Sequence, residues 1–176
     1  MNAPDLPLSR CLTAAPSLEK QVMACALLHA QRMGAVPLLR GVSAPSFARL
    51  ADWLGAPGLE NGVSDETPFD EFDELLALLG EHAEPADEPA HWLAAALATA
   101  AQRDNHLWQD LGLPSRVALS DILRARFPRL AAENTGDMKW KKFFYRQLCK
   151  RAEVPICKSP HCAECCDYAV CFGPEV

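Results

Sequence analysis

Apolar residues recur along this chain at the three- and four-residue steps of an α-helix, and no stretch shows the alternation of a half-buried strand. The pattern predicts an all-α protein, an irregular multi-helix bundle. A first helix is expected from Ser17 to Met33, with Ser17 as N-cap, Leu18, Val22, Cys25, Ala26 and His29 near one face, and Gly34 as its stop. A second covers Ala44 to Leu54 and is ended by Gly55 and Pro57. The Gly-, Pro-, Asn- and Asp-rich stretch from Gly55 to Thr67 reads as a loop, after which Pro68 opens a third helix. There Phe69, Phe72, Leu75, Leu76 and Leu79 hold the apolar positions, while Asp70, Glu71, Asp73 and Glu74 form a solvated face.

A polar break from Glu81 to Pro89 precedes a helix over Pro89 to Arg103, whose alanine face permits close packing. His106 to Trp108 begins a short turn. Ser115 to Phe127 forms a further helix ended by Pro128, and Met138 to Arg151 forms the last long one. The organisation that results is a flexible N-terminus over residues 1–16, a helical domain over 17–151 and a cysteine-rich tail over 152–176. There is no internal repeat and no low-complexity segment.

Composition fits that outline. The 176 residues, 49% of them hydrophobic, suffice for one core with a small appendage. A formal charge of −6 lacks the positive field that nucleic acid or an anionic membrane attracts, so proteins and small ions are the expected partners. The charge is unevenly spread: no Lys or Arg lies between Arg49 and Arg103, whereas Lys139, Lys141, Lys142, Arg146, Lys150 and Arg151 crowd the last helix. Lys139, Lys142, Arg146 and Lys150 make a stripe beside an apolar face of Trp140, Phe143, Phe144, Gln147 and Leu148. The first residues show no export or transit pattern and no stretch is long enough to span a membrane, so the cytoplasm is the expected location.

Cysteine usage changes the picture most. Of eight cysteines, five fall between residues 157 and 171, and in a reducing compartment such crowding indicates metal ligation rather than a disulfide scaffold. Cys157, Cys162, Cys165 and Cys171 form a C-x4-C-x2-C-x5-C run, a wrapping loop able to aim four sulfurs at one centre. A bound cation also removes the repulsion among neighbouring thiolates. All-cysteine sites hold structural zinc as well as iron-sulfur clusters. Zinc ribbons favour two C-x2-C pairs, whereas only Cys162 and Cys165 are so spaced. C-x4-C-x2-C is a ferredoxin-type spacing, although the fourth cysteine there lies farther away. The spacing thus leans towards an iron-sulfur cluster in a C-terminal cluster-binding loop and leaves zinc open. Cys149 and Cys166 are candidate auxiliary ligands, while Cys25 reads as a small buried hydrophobe.

The string H-L-W-Q-D-L-G-L from His106 to Leu113, the string M-K-W-K-K-F-F-Y-R-Q-L-C from Met138 to Cys149 and the tail closing in C-F-G-P at Cys171 together resemble the NifQ family. Residues 104 to 175 carry the likeness, and the family cysteine motif falls on Cys157, Cys162, Cys165 and Cys171 with every spacing intact. The resemblance implies a molybdenum carrier that holds a Mo-Fe-S cluster and delivers molybdenum, drawn from molybdate or another source, to the nitrogenase cofactor assembly proteins. It implies a donor rather than an enzyme, in keeping with the absence of P-loop, dinucleotide-binding or metalloprotease strings. In such a cluster three cysteines serve three irons, and molybdenum needs further ligands: the fourth cysteine, a histidine, a carboxylate or water. His161 is the nearest such histidine in sequence and His106 a more remote one. A zinc-stabilised interaction domain and a simple iron-sulfur electron carrier are the competing readings.

Overall fold

The computed structural model describes residues 5–14, 16–65, 67–68, 71–153 and 168–175. Among these it contains ten helices and no strand: α1 Asp5–Thr13, α2 Leu18–Arg32, α3 Ala44–Trp53, α4 Glu71–Glu81, α5 Glu88–Ala101, α6 Leu107–Asp110, α7 Arg116–Arg126, α8 Pro128–Ala132, α9 Trp140–Arg151 and α10 Tyr168–Phe172. None is long and apolar enough to cross a membrane.

Helix starts follow from capping chemistry, because the first N–H groups of a helix need acceptors that the helix cannot supply. Ser17 accepts from the Lys20 N–H at 3.5 Å, Ser43 from Ser46 at 3.4 Å, Asp87 from Ala90 at 3.0 Å and Ser115 from Ala118 at 3.3 Å. These bonds open α2, α3, α5 and α7. Pro45 and Pro89 lie in the first turns of α3 and α5, where a missing N–H costs nothing.

One hydrophobic core joins the described helices, from Leu8 of α1 to Leu148 of α9. At its centre is α5, from which Trp92 and every residue from Leu93 to Ala101 are buried. It packs against α2, α4 and α6, and its small side chains let those neighbours approach closely. A polar clasp holds its start: Trp92 donates through Nε1 to Ser46 Oγ at 3.0 Å, Ser46 donates to Glu88 at 2.9 Å, and Arg126 pairs with Asp87.

Four features depart from the sequence expectation. Residues 5–13, within the stretch expected to be flexible, form α1, which lies along α2 with Leu8 fully buried. In α2 the buried set includes Met23, Leu27, Leu28 and Ala30, since neighbours cover it on several sides; His29 and Cys25 are only half-buried. Pro128 follows the end of α7 but also opens α8, its fixed φ suiting a first helical position as well as it suits a stop. The tail contains α10, a single turn around Cys171, rather than loop alone.

Gly112 shows how tightly α6 sits on α2. Its φ is +65°, and a Cβ there would meet His29 Cβ at 2.7 Å and the Cys25 carbonyl oxygen at 3.1 Å. Gly112→Ala is therefore expected to lower stability by at least about 1–2 kcal/mol, read as a lower urea midpoint at unchanged slope.

Candidate metal centre and the docked C-terminal segment

The helix leading into the cysteine tail is fastened from several directions. Trp140, Phe143, Phe144, Gln147 and Leu148 of α9 are buried, as their shared face requires. Trp140 meets Phe143 edge-on at 5.7 Å and 88°, and donates through Nε1 to Ser120 Oγ of α7 at 3.0 Å. On another side, Lys141 Nζ donates to Asp110 Oδ2 at 2.6 Å and to the Arg103 carbonyl at 2.5 Å. Asp110, only 2% exposed, also accepts from Asn105 at 3.1 Å, while Arg103 donates to the Asp110 carbonyl at 2.9 Å. Burial lowers the Arg103 pKa and Asp110 opposes that. At the far end Arg151 pairs with Glu81 of α4 at 2.5 Å.

The H-L-W-Q-D string thus has a mechanical role. His106 is the N-cap of α6, and its backbone N–H donates to Gln109 Oε1 at 3.1 Å. Asp110, one turn on, anchors α9. The neighbouring His29 is held below the usual histidine range first by burial and then by Arg103.

The chain end returns to the start of α9. The Lys139 N–H donates to the Cys171 carbonyl at 2.8 Å. Tyr168 and Phe172 stack at 4.7 Å, and Phe172 lies so close to Gly136 that a Cβ there would be 3.2 Å from its ring. The Glu175 side chain, 7% exposed, faces Arg116 Nε at 3.4 Å and His106 Nδ1 at 4.0 Å. Arg116 also donates to Asp137 Oδ2 at 2.7 Å and to the Asp137 and Met138 carbonyls, each at 3.1 Å. Helix α9 is about 18 Å long at 1.5 Å per residue, and the segment with α10 docks at its N-terminal end.

Of the predicted ligands, Cys171 lies in α10, half-buried beside α9. Cys157, Cys162 and Cys165, with His161 and Cys166, lie outside the described residues. Cys149 is half-buried near the end of α9. His106, remote in sequence, is brought to the docked chain end beside Glu175. Neither Glu175 nor its clamp Arg116 was a sequence candidate, because the contact links positions far apart in the chain and leaves no local pattern. Among the described residues no group of three or more His, Cys, Asp or Glu side chains is arranged to hold a metal ion, and Glu71, Asp73 and Glu74 of α4 are exposed. Cys11 and Cys25 pack against the core, and burial is the main influence raising both thiol pKa values. Burial thus favours the neutral thiol over the thiolate that a metal requires.

Charge on α9 is unevenly satisfied. Lys142 and Lys150 are exposed and Lys139 is half-buried, and none of the three has an ion pair among the described residues. Arg49, Arg116, Arg124, Arg126, Arg129, Lys141 and Arg151 all do.

Comparison with known proteins settles the family. The NifQ family model matches residues 21–173, from early in α2 through α10. The chain belongs to the NifQ family. It is 42% identical over 148 residues to "Protein NifQ" of Rhodobacter capsulatus, covering 81% of each chain. To "Protein NifQ" of Klebsiella pneumoniae it is 37% identical over 164 residues, 83% of this chain and 93% of the relative. To that of Azotobacter vinelandii it is 43% identical over 107 residues, 61% of this chain and 55% of the relative. No solved structure matches. Membership in NifQ implies a role in nitrogen fixation, in the biosynthesis of the iron-molybdenum cofactor. The match also reaches well upstream of residue 104, so the helical body belongs to the family as much as the tail does.

Proposed function

We propose that this NifQ protein carries molybdenum as cargo, in a Mo-Fe-S cluster gripped by Cys157, Cys162, Cys165 and Cys171, and hands it to the proteins that assemble the cofactor. The observation that carries the reading is the seating of Cys171: the last residue of the C-x4-C-x2-C-x5-C run is pinned by backbone to Lys139, the first of the three lysines, with Lys142 and Lys150, that have no ion pair among the described residues. A ligand at Cys171 starts out fastened to the beginning of α9, which reduces the ordering that cluster capture requires. The lysines offer positive charge beside an anionic thiolate site.

The donor set suits the cargo. Soft thiolates bind iron of a sulfide cluster, and one cysteine per iron leaves the molybdenum corner to exchangeable ligands. His161 and Cys166 adjoin ligand cysteines in sequence and are candidates for that corner, with Cys149 and His106 on the helical body. A donor must release what it holds, and weak ligation at molybdenum serves release better than a closed cage. The protein acts as a carrier, not a catalyst, in the cytoplasm, where thiols stay reduced.

Anaerobic purification from cells supplied with molybdate is expected to give brown protein containing iron, sulfide and molybdenum. Colourless protein with one zinc per chain would overturn the proposal in favour of an interaction domain. Iron and sulfide with reversible one-electron cycling but no molybdenum uptake would overturn it in favour of an electron carrier.

A further inference from the structure

The geometry points to Glu175 as a positioning residue: its carboxylate, paired with Arg116, holds the chain end on the helical body and so fixes where Cys171 stands. The inference rests on the proposed reading only for its link to cargo; the anchoring itself is independent of any metal.

A helix as short as α10 does not persist alone, because a single turn does not repay the cost of nucleation. Something outside it must hold it. The Lys139–Cys171 backbone bond fixes one point, and the Phe172 ring against Gly136 adds apolar contact. Neither explains why the last described residue is so well covered. The Glu175 side chain is 7% exposed, and a carboxylate removed from water to that degree requires a charged partner. Arg116 supplies it from a fixed position. Its terminal nitrogens are committed to Asp137 and to the Asp137 and Met138 carbonyls, while Nε is buried, has no hydrogen-bond acceptor and faces Glu175 at 3.4 Å. His106 Nδ1 stands at 4.0 Å on the same oxygen. Asp137 and Met138 immediately precede Lys139, so one guanidinium ties the approach to α9, the chain end and, through the Lys139 bond, Cys171.

The test uses reduced, metal-free full-length protein, with iodoacetamide labelling of each cysteine followed by mass spectrometry. Glu175→Gln is expected to speed labelling of Cys171 about tenfold, as loss of a charged contact predicts. Labelling of Cys25 and the far-ultraviolet circular dichroism should stay unchanged. Arg116→Met should have the same effect, the double variant should add little to either single change, and Glu175→Asp should restore part of the protection. In cluster-loaded protein, iron loss to a chelator should quicken in the same order. An unchanged Cys171 rate in Glu175→Gln, or fully additive effects of the two substitutions, overturns the inference. If Cys171 responds as expected while the unaltered protein takes up no cluster, the anchor stands and the proposed cargo role falls.

Discussion

Replacing Cys162 or Cys165 by serine is expected to abolish cluster binding while the helical body remains folded. These two residues form the shortest gap in the run, so they deliver adjacent sulfurs to one centre with the least chain between them. Serine offers a hard, protonated oxygen where iron in a sulfide cluster needs a soft thiolate. Loss of a partner that merely orients a ligand weakens metal binding about 10–100-fold, so loss of the ligand itself should cut iron per chain by at least about tenfold. The fold should not follow, because among the described residues the buried hydrophobic side chains all lie between Leu8 and Leu148. Iron analysis beside thermal unfolding of the metal-free protein separates the two effects. An unchanged iron content would remove these cysteines from the ligand set.

The second large effect is on stability. Asp110→Ala is expected to cost about 3–5 kcal/mol, the range for deleting one member of a buried ion pair. Asp110 is 2% exposed and receives Lys141 at 2.6 Å and Asn105 at 3.1 Å. Alanine would leave the Lys141 ammonium with the Arg103 carbonyl as its remaining partner, close to an Arg103 side chain that is itself half-buried. Because Lys141 belongs to α9, the damage should reach the helix that seats Cys171. Urea unfolding measures the loss. A change below about 1 kcal/mol would show that the pair is no more than an ordinary surface contact.

Much of the fold was legible because it rests on local chemistry. Ser17 caps the helix it was expected to cap, the helix expected to start at Ser115 does begin there, with Ser115 as its cap, and the apolar face of α9 is buried as its spacing requires. What escaped depends on neighbours distant in sequence. Nothing local marks Leu8 as core, since its burial comes from packing of α1 on α2. A single apolar face was the wrong template for α2, which is covered on several sides. Pro128 carries the same chemistry whether it ends one helix or begins the next.

The candidate site divides the same way. Spacing alone marks the cysteine run, and the H-L-W-Q-D string identifies the family without disclosing that Asp110 anchors α9. The clamp of Glu175 by Arg116 joins two residues with no pattern between them, so only the folded chain exposes it.

The alanines of α5 invert a common intuition about mutational tolerance. Conversion of alanine to valine adds only two methyl groups and is ordinarily mild on a helix with a face in water. Here Ala94, Ala95, Ala96, Ala98, Ala100 and Ala101 are all enclosed, so there is no outward direction in which added bulk can turn. The smallest side chains thereby set the distances between the surrounding helices, and this plainest stretch of sequence leaves the least freedom for change.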